Sequence, residues 1–480
     1  MICQQQDQMI RAWIEEHRDE MIRMWMDLVR IPSVKSEPAP GAPFGIPCAQ
    51  ALKKATEYGQ QLGFETRLEA DRGYSLISYG EGEKTIGIFG HSDVVPAGDG
   101  WLLTEPFVPV LRDGVVIGRG CRDNKNGVLA SLFAAKLLRE CQIPLKSRLQ
   151  IYIGSNEESG MGDLLAFVAN EKMPDISLIP DASYPCSLGE KGHLKQWNRC
   201  KTPLVDVLDF HGDGAFNIVL DYAYARLAYT PQRLAELTEK TRGQEAFTLS
   251  QTAEGDIMLT AKGASKHSAY PEGSVNAALL ICDLLADCTT LCDSDREQLG
   301  TVARLMEGYY GENMGISFQE PGFGKLTCTN GMVEVTDRLL SVAVDIRYGT
   351  GLDSEKLEQL LDEAWHSAGW ETTYRDNHHG VKVDPNSPIP GLLTELACQL
   401  TGEAYKPYWM NGGTYCRHLK NGFTVGSHMA DPNSKAVIPQ LPAGHGGAHQ
   451  RDEYCPVDEF LMGLRMLTHA ILVCDETINQ

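Results

Sequence analysis

The chain has 480 residues, beyond the size at which one hydrophobic core usually stops growing, so two domains are expected. Its 42% hydrophobic and 22% charged residues are those of a globular protein. With 43 Lys and Arg against 64 Asp and Glu, the formal charge is −21 and no long basic run is present, which argues against nucleic acid and anionic membrane as partners.

The N-terminal stretch "MICQQQDQMIRAWIEEHRDEMIRMWMDLVRIPSV" is no signal peptide, because charges interrupt every apolar run. It predicts an amphipathic helix stopping near Pro32. No later run reaches the roughly 18 apolar residues needed to span a bilayer. The fourteen cysteines are scattered, with no CxxC pair. Without a secretion signal they read as reduced thiols of a cytoplasmic protein, not as a disulfide framework or a cysteine zinc cluster.

Up to about residue 190 strands alternate with helices. "TIGIFGH" and "RLQIYIG" are predicted strands, "GVLASLFAAKLLRE" a helix and "DISLIPD" a further strand. Apolar strands alternating with helices imply a mainly parallel sheet covered on both faces. The texture changes near Lys191. "FTLSQTAEGDIMLTAKG" predicts a hairpin turning at Glu254-Gly255-Asp256, followed by the helix "SVNAALLICDLLADC", the strand "LLSVAVDIRY" and the helix "SEKLEQLLDEAWHSAG". From about Pro388 the helix "GLLTELACQLTG" resumes the first style. The expected fold is therefore an α/β domain formed by residues 1–190 and 386–480, with an α+β, ferredoxin-like domain inserted over 191–385. Residues 427–447, rich in Gly, Pro and Ser, are a long loop of the kind that is functional or mobile.

Chemistry-bearing residues gather where strands end. His91 and Asp93 follow "TIGIFG", Glu157 and Glu158 follow "RLQIYIG", Asp181 closes "DISLIP", and Asp123 precedes a helix in "GRGCRDNKNG". Open α/β sheets bind ligands at the carboxyl ends of their strands, so these groups converge on one crevice. Imidazole and carboxylate are ligands of zinc, manganese and cobalt, and a carboxylate can bridge two cations. Asp93, two residues after His91, can accept the second imidazole N–H. The adjacent glutamates are costly as bare charges. If Glu158 binds a metal the repulsion largely disappears, and Glu157 can act as general base on a metal-bound water.

The motifs "GHSDVVPAGDGW", "GRGCRDNKNG", "SNEESG", "PDASYPCSLGEKG", "KGASKHSAYPEGSVNA", "GGTYCR" and "AHQRDE", in this order, resemble the M20 family of metallopeptidases, and within it the PepV-like, Sapep-type dipeptidases. The resemblance runs from "LVRIPSV" to the last helix. It implies a cytoplasmic metal-dependent dipeptidase that cleaves short unblocked peptides with two divalent ions, Zn²⁺ foremost and Mn²⁺ or Co²⁺ as alternatives. One ion would be held by His91 and Asp181, the other by Glu158 and His449, with Asp123 bridging. Asp93 would orient His91, and Glu157 would be the base. His267, in the inserted lid, would polarise the scissile carbonyl. Arg417 would clamp the substrate's terminal carboxylate, and Asn217 would be a second lid residue. The large inserted domain, by the same resemblance, implies a monomer.

The chain departs from the family pattern at Asn124, where a second aspartate is usual; the peptide bond before that position is typically cis in the family. "NKNG" replaces "DKGP", and the loop "SHMADPNSKAVIPQLPAGHGG" is longer than expected. His445, His428, His418, His378 and His379 lack a ligand context, and Cys121 and Cys416 read as packing residues. Two other functions remain open: an N-acyl-amino-acid deacylase of the same fold, and a catalytically silent peptide-binding protein, against which the full set of ligands and the base speaks.

Overall fold

The computed structural model describes residues 3–442 and 444–480. The chain divides into two compact units. One holds the residues up to Gly189 with Val383–Tyr408 and Thr414–Gln480; the other holds Glu190–Lys382 with Trp409–Gly413.

The first unit is built on a six-stranded sheet in the order Glu65–Glu69, Tyr74–Tyr79, Arg148–Gly154, Thr85–His91, Ile176–Ala182, Gly422–Gly426. The last four strands run parallel, and the first two form an antiparallel hairpin at one edge. Side chains alternate across it. Ile86, Ile88, Ile151 and Ile153 join the main core with Leu132, Phe133 and Leu467, from the helices Lys125–Glu140 and Val457–Ile478. The helix Lys125–Glu140 is buried from Lys125 to Leu138, as expected of a helix enclosed on all sides.

The opposite face carries an aromatic layer. Tyr74, Phe89 and Tyr152 pack with Phe167 of the helix Gly162–Asn170 at centroid spacings of 5.0–5.8 Å. Tyr415 joins it at 5.5 Å from Tyr152. Such pairs contribute about 0.5–1.5 kcal/mol each beyond the area they bury. This layer lies directly beneath the strand ends of interest, since Tyr415 is also 6.3 Å from the His91 ring.

The second unit is antiparallel. One four-stranded sheet has the order Val207–His211, Tyr222–Leu227, Ile257–Lys262, Phe247–Gln251; the other has Thr327–Thr336, Leu339–Tyr348, Gly192–Cys200, Trp370–His378. The hairpin expected at Glu254–Asp256 is present, and the helices Ala277–Ala286 and Ser354–Ser367 occupy the expected segments. A two-stranded ribbon, Gln319–Glu320 with Gly324–Lys325, accompanies these two sheets.

The N-terminal stretch differs from expectation. Two helices, Gln4–Glu16 and Arg18–Val29, replace one, and they break at His17, whose ring stacks on Trp13 at 3.9 Å. His17 Nδ1 lies 2.9 Å from the Trp13 carbonyl, so the imidazole competes locally with the helical ladder.

The first of these helices is tied to the last helix of the chain. Arg465 donates to both carboxylate oxygens of Asp7, at 2.7 and 2.6 Å, and His469 Nε2 lies 3.1 Å from Asp7 Oδ1. Burial alone would raise the Asp7 pKa, but the hydrogen bonds to His469 and Arg465 outweigh it and hold the carboxyl well below the usual range. Asp7→Asn should therefore lower stability by about 1.5–3 kcal/mol near neutral pH. Because the folded pKa is the lower one, this advantage is complete above the unfolded value of about 3.9 and is lost as pH falls below it. Urea denaturation of both proteins at neutral and acidic pH checks this; a gap that fails to narrow in acid contradicts it.

Candidate metal centre

Three neighbouring parallel strands deliver the first groups. His91 ends Thr85–His91 and pairs in register with Gly154, the last residue of Arg148–Gly154; Asp181 lies at the end of Ile176–Ala182. Glu157 and Glu158 follow Gly154 after two residues. Gly154 is needed because a Cβ there would meet the Tyr415 hydroxyl at 1.9 Å and Asp163 Oδ2 at 2.3 Å. Asp123 stands just before the helix Lys125–Glu140, and His449 lies in the loop before Tyr454–Pro456.

These residues meet. His91 Nε2 is 3.3 Å from Asp123 Oδ1 and 3.4 Å from Asp181 Oδ1. His449 Nε2 is 3.1 Å from Asp123 Oδ2 and 3.1 Å from Glu158 Oε2. The Asp123 carboxylate thus lies between the two imidazoles and turns one oxygen to each. Donor atoms of His91, Glu157 and Asp181 lie within 4.8 Å of one another, as do those of His91, Asp123 and Glu158.

His91 Nε2, Glu157 Oε1 and Glu158 Oε1 are buried and make no hydrogen bond. Leaving such atoms unsatisfied is costly, and they mark where a cation fits. The electrostatics agree. Burial, reinforced by Asp181 and Glu158, pushes the Glu157 carboxyl well above its ordinary range. Burial also carries Asp181 up to about 7, with His91 opposing and Asp123 adding to the rise. His449 is raised chiefly by Glu158, while Asp123 is held low against its burial by the two imidazoles. These are the signs of acidic groups crowded together out of water, where divalent ions would offset the repulsion.

The supports are mostly main-chain hydrogen bonds. Asp93 Oδ1 accepts from the Glu157 N–H at 3.1 Å and Oδ2 from the Glu158 N–H at 3.2 Å. His91 Nδ1 lies 3.1 Å from the Asp93 main-chain carbonyl and 3.5 Å from its Oδ1. The nearer partner of the imidazole is thus the Asp93 backbone, while the carboxylate secures the twin glutamates. Either contact keeps the proton on Nδ1 and leaves the Nε2 lone pair facing the carboxylates. Asp163, whose role spacing does not reveal, accepts from the N–H groups of Ser155 and Asn156 at 2.6 and 2.9 Å and from the Tyr415 hydroxyl at 2.6 Å. An aspartate opening a helix straight after the "SNEES" turn is the one hint of this in the sequence.

Asn124 follows Asp123 through a cis peptide bond. Its Nδ2 donates to the Pro180 carbonyl at 2.6 Å, and its Oδ1 lies 3.5 Å from the His91 N–H. A carboxylate could not make the first bond.

Of the remaining candidates, Arg417 lies half-buried in the short helix Tyr415–His418 of the first unit. Asn217 and His267 are neighbours within the second unit, where the Asn217 carbonyl accepts from the Ser268 N–H and Ile218 bridges to His267. His267 Nδ1 accepts from the Ala269 N–H at 3.1 Å, which puts the proton of the neutral ring on Nε2. His445 is held by Asp452 at 2.5 Å, and His428 Nδ1 by the Ser427 hydroxyl at 3.1 Å. Cys121 and Cys416 are buried. A third acidic cluster, Asp206, Cys292 and Asp295, needs no cation: Asp295 accepts from the N–H groups of Val205, Asp206 and Val207, and Asp206 pairs with Arg233. Among the described residues, no helix is long and apolar enough to cross a membrane.

The family model described as "Peptidase family M20/M25/M40" matches residues 87–473. A relative from Staphylococcus epidermidis (strain ATCC 12228 / FDA PCI 1200), named "Putative dipeptidase", is 29% identical over 462 residues, covering 92% of this chain and 94% of its own. Among solved structures, human carnosine dipeptidase 1 superposes with a TM-score of 0.61 at 15% identity, covering 98% of this chain and 99% of its own. The dipeptidase Dug1p from Saccharomyces cerevisiae gives 0.60 at 15% identity and covers 98% of each. At these identities the structures show a shared fold.

Asn124→Asp should cost about 1–3 kcal/mol, because the new carboxylate loses the Pro180 bond and turns a charge onto that carbonyl. Thermal unfolding checks this, and an unchanged midpoint would show that the amide is not what joins the two strand ends.

Proposed function

Because the chain belongs to peptidase family M20/M25/M40, we propose that it is a two-metal dipeptidase that hydrolyses short unblocked peptides. The observation that carries this reading is the Asp123 carboxylate set between His91 and His449, with buried donor atoms around it that lack partners. The names of the relatives support the substrate class: the Staphylococcus epidermidis protein and both structural neighbours are called dipeptidases.

His91 and Asp181 would hold one divalent ion, Glu158 and His449 the other, and Asp123 both. The mixed oxygen–nitrogen donor set suits Zn²⁺ and also accommodates Mn²⁺ or Co²⁺. Bound there, the ions supply Lewis acidity to the scissile carbonyl and lower the pKa of water. Glu157 is the general base: it takes a proton from the attacking water at Oε1 and returns it to the leaving amine. Asp93 serves that step by holding the Glu157 and Glu158 backbones, so that one carboxylate turns to the metals while the other stays available for the proton. His267, with its proton on Nε2, has the donor that a developing oxyanion requires, and Asn217 beside it is the second polar group for that task. Arg417 has the planar fork suited to a substrate carboxylate.

Removal of metal with a chelator should abolish dipeptide hydrolysis, and Mn²⁺ or Co²⁺ should restore part of it. Glu157→Gln should keep both ions and lose about 10²–10⁴-fold in kcat, whereas Glu158→Gln should lose metal. Metal analysis beside turnover separates the two, and equal metal loss in both variants would overturn the assignment.

A free terminal carboxylate should matter through Arg417. Amidating the dipeptide should lower kcat/KM strongly in the wild type and much less in Arg417→Ala, since both changes remove one contact. Equal losses would remove Arg417 from substrate binding. Comparison with N-acyl amino acids in the same assay tests the deacylase reading.

A further inference from the structure

Two segments far apart in the chain supply Asp123 and His449, which stand 326 residues from each other. They are brought together by an antiparallel pairing in which Val115–Ile117 runs against Tyr454–Pro456. Between that pairing and the two side chains lies Glu453, fully buried, with Arg119 buried against it.

The Glu453 carboxylate is saturated by the loop that ends in Asp123. It accepts from the N–H groups of Gly120 at 3.1 Å, Arg122 at 2.8 Å and Asp123 at 3.1 Å, and from Arg119 Nη1 at 2.7 Å. The other arm of the Arg119 guanidinium reaches two further segments, where Nη2 donates to the His449 carbonyl at 3.3 Å and, in the loop after Thr85–His91, to the Ala97 and Pro96 carbonyls at 3.4 and 3.5 Å. His449 itself has a left-handed backbone, with φ of 63°. A non-glycine residue persists in that region only when its surroundings hold it there.

We propose that Glu453 is a positioning residue for the metal pair, and that with Arg119 it forms a buried clamp fixing the Asp123 carboxylate and the His449 imidazole relative to each other. The proposal rests on the two-metal reading of the site. A buried ion pair contributes little net stability when compared with well-packed apolar groups, so stability alone is a weak reason for this pair. Its bonds are spent on the backbones of two candidate ligands. Glu453 touches neither metal donor atom nor substrate, and its effect passes through the N–H of Asp123 and, by way of Arg119, through the carbonyl of His449.

The test is calorimetric titration of the metal-stripped full chain with Zn²⁺, alongside the visible spectrum of the Co²⁺-loaded protein. Wild type should take up two ions. Glu453→Gln keeps the shape but loses the charge. It should retain the ion at His91 and Asp181 and bind the other about 10–100-fold more weakly, the usual cost of losing an outer partner, with an altered Co²⁺ spectrum. Arg119→Lys keeps a buried cation but not the fork, and should give a smaller loss at the same ion. Asp7→Asn, which removes a comparable ion pair far along the same unit, should lower the melting temperature and leave both affinities unchanged. If Glu453→Gln binds both ions as the wild type does and only melts earlier, as Asp7→Asn does, the clamp is overturned. If Glu453→Gln does not fold, unchanged affinities in Arg119→Lys overturn it equally. A wild-type chain that binds fewer than two ions overturns the two-metal reading, and the clamp falls with it.

Discussion

Carboxylates crowded together out of water repel one another, and the first unit is organised around tolerating that repulsion. Asp93, Asp123, Glu157, Glu158 and Asp181 converge at the carboxyl ends of adjacent parallel strands. Asp123, Glu158 and Asp181 each lie within ion-pair distance of an imidazole, His91 or His449. What opposes the repulsion is of two kinds. Main-chain N–H groups turn toward the supporting carboxylates, as at Asp93 and Asp163. Imidazoles face the carboxylates that remain, with the donor geometry of a metal site.

Precision at the site then depends on what lies beneath it. The aromatic layer of Tyr74, Phe89, Tyr152 and Phe167 forms a stiff floor, and Tyr415 extends it to the Asp163 carboxylate. That carboxylate fixes the turn from which Glu157 and Glu158 depart. A chain of contacts therefore runs from apolar packing, through one hydrogen-bonded aspartate, to the orientation of two acidic side chains. Packing of this density resists small displacements, which suits groups whose separation decides whether they share a cation.

The opposed demands on the twin glutamates meet in this arrangement. Adjacent residues at a strand end diverge, and Asp93 anchors both backbones, so proximity in sequence need not mean competition for one place. Glu158 faces His449, whereas Glu157 groups with His91 and Asp181. The pair is costly only in the absence of cations, and the one oxygen of each that is buried without a hydrogen bond, Oε1, is the clearest mark of where cations would fit.

The strands carrying the site were legible in the sequence because parallel strands buried on both faces read as apolar runs, and because the groups after them stand in a fixed order that the topology carries to one edge. His91, Asp123, Glu158 and Asp181 could thus be listed together before any fold was known, whereas His449 came only from the resemblance of "AHQRDE" to the family motif. The strand Gly192–Cys200 could not be seen: its inward positions are Gly192, Leu194, Gln196, Asn198 and Cys200, so burial alternates while hydrophobicity does not. Nor could the break at His17, where one ring stacked on Trp13 interrupts a pattern that otherwise continues. The supporting carboxylates were hidden for a different reason. Asp163 and Glu453 act on main-chain N–H groups, which every residue except proline possesses, so nothing in side-chain identity announces their partners. Sequence alone determined which side chains are candidates for the chemistry, because that depends on residue type and order. Only the tertiary structure decided which carboxylates face the candidate cation site and which hold the backbone in place, because that depends on hydrogen bonds between segments distant in the chain.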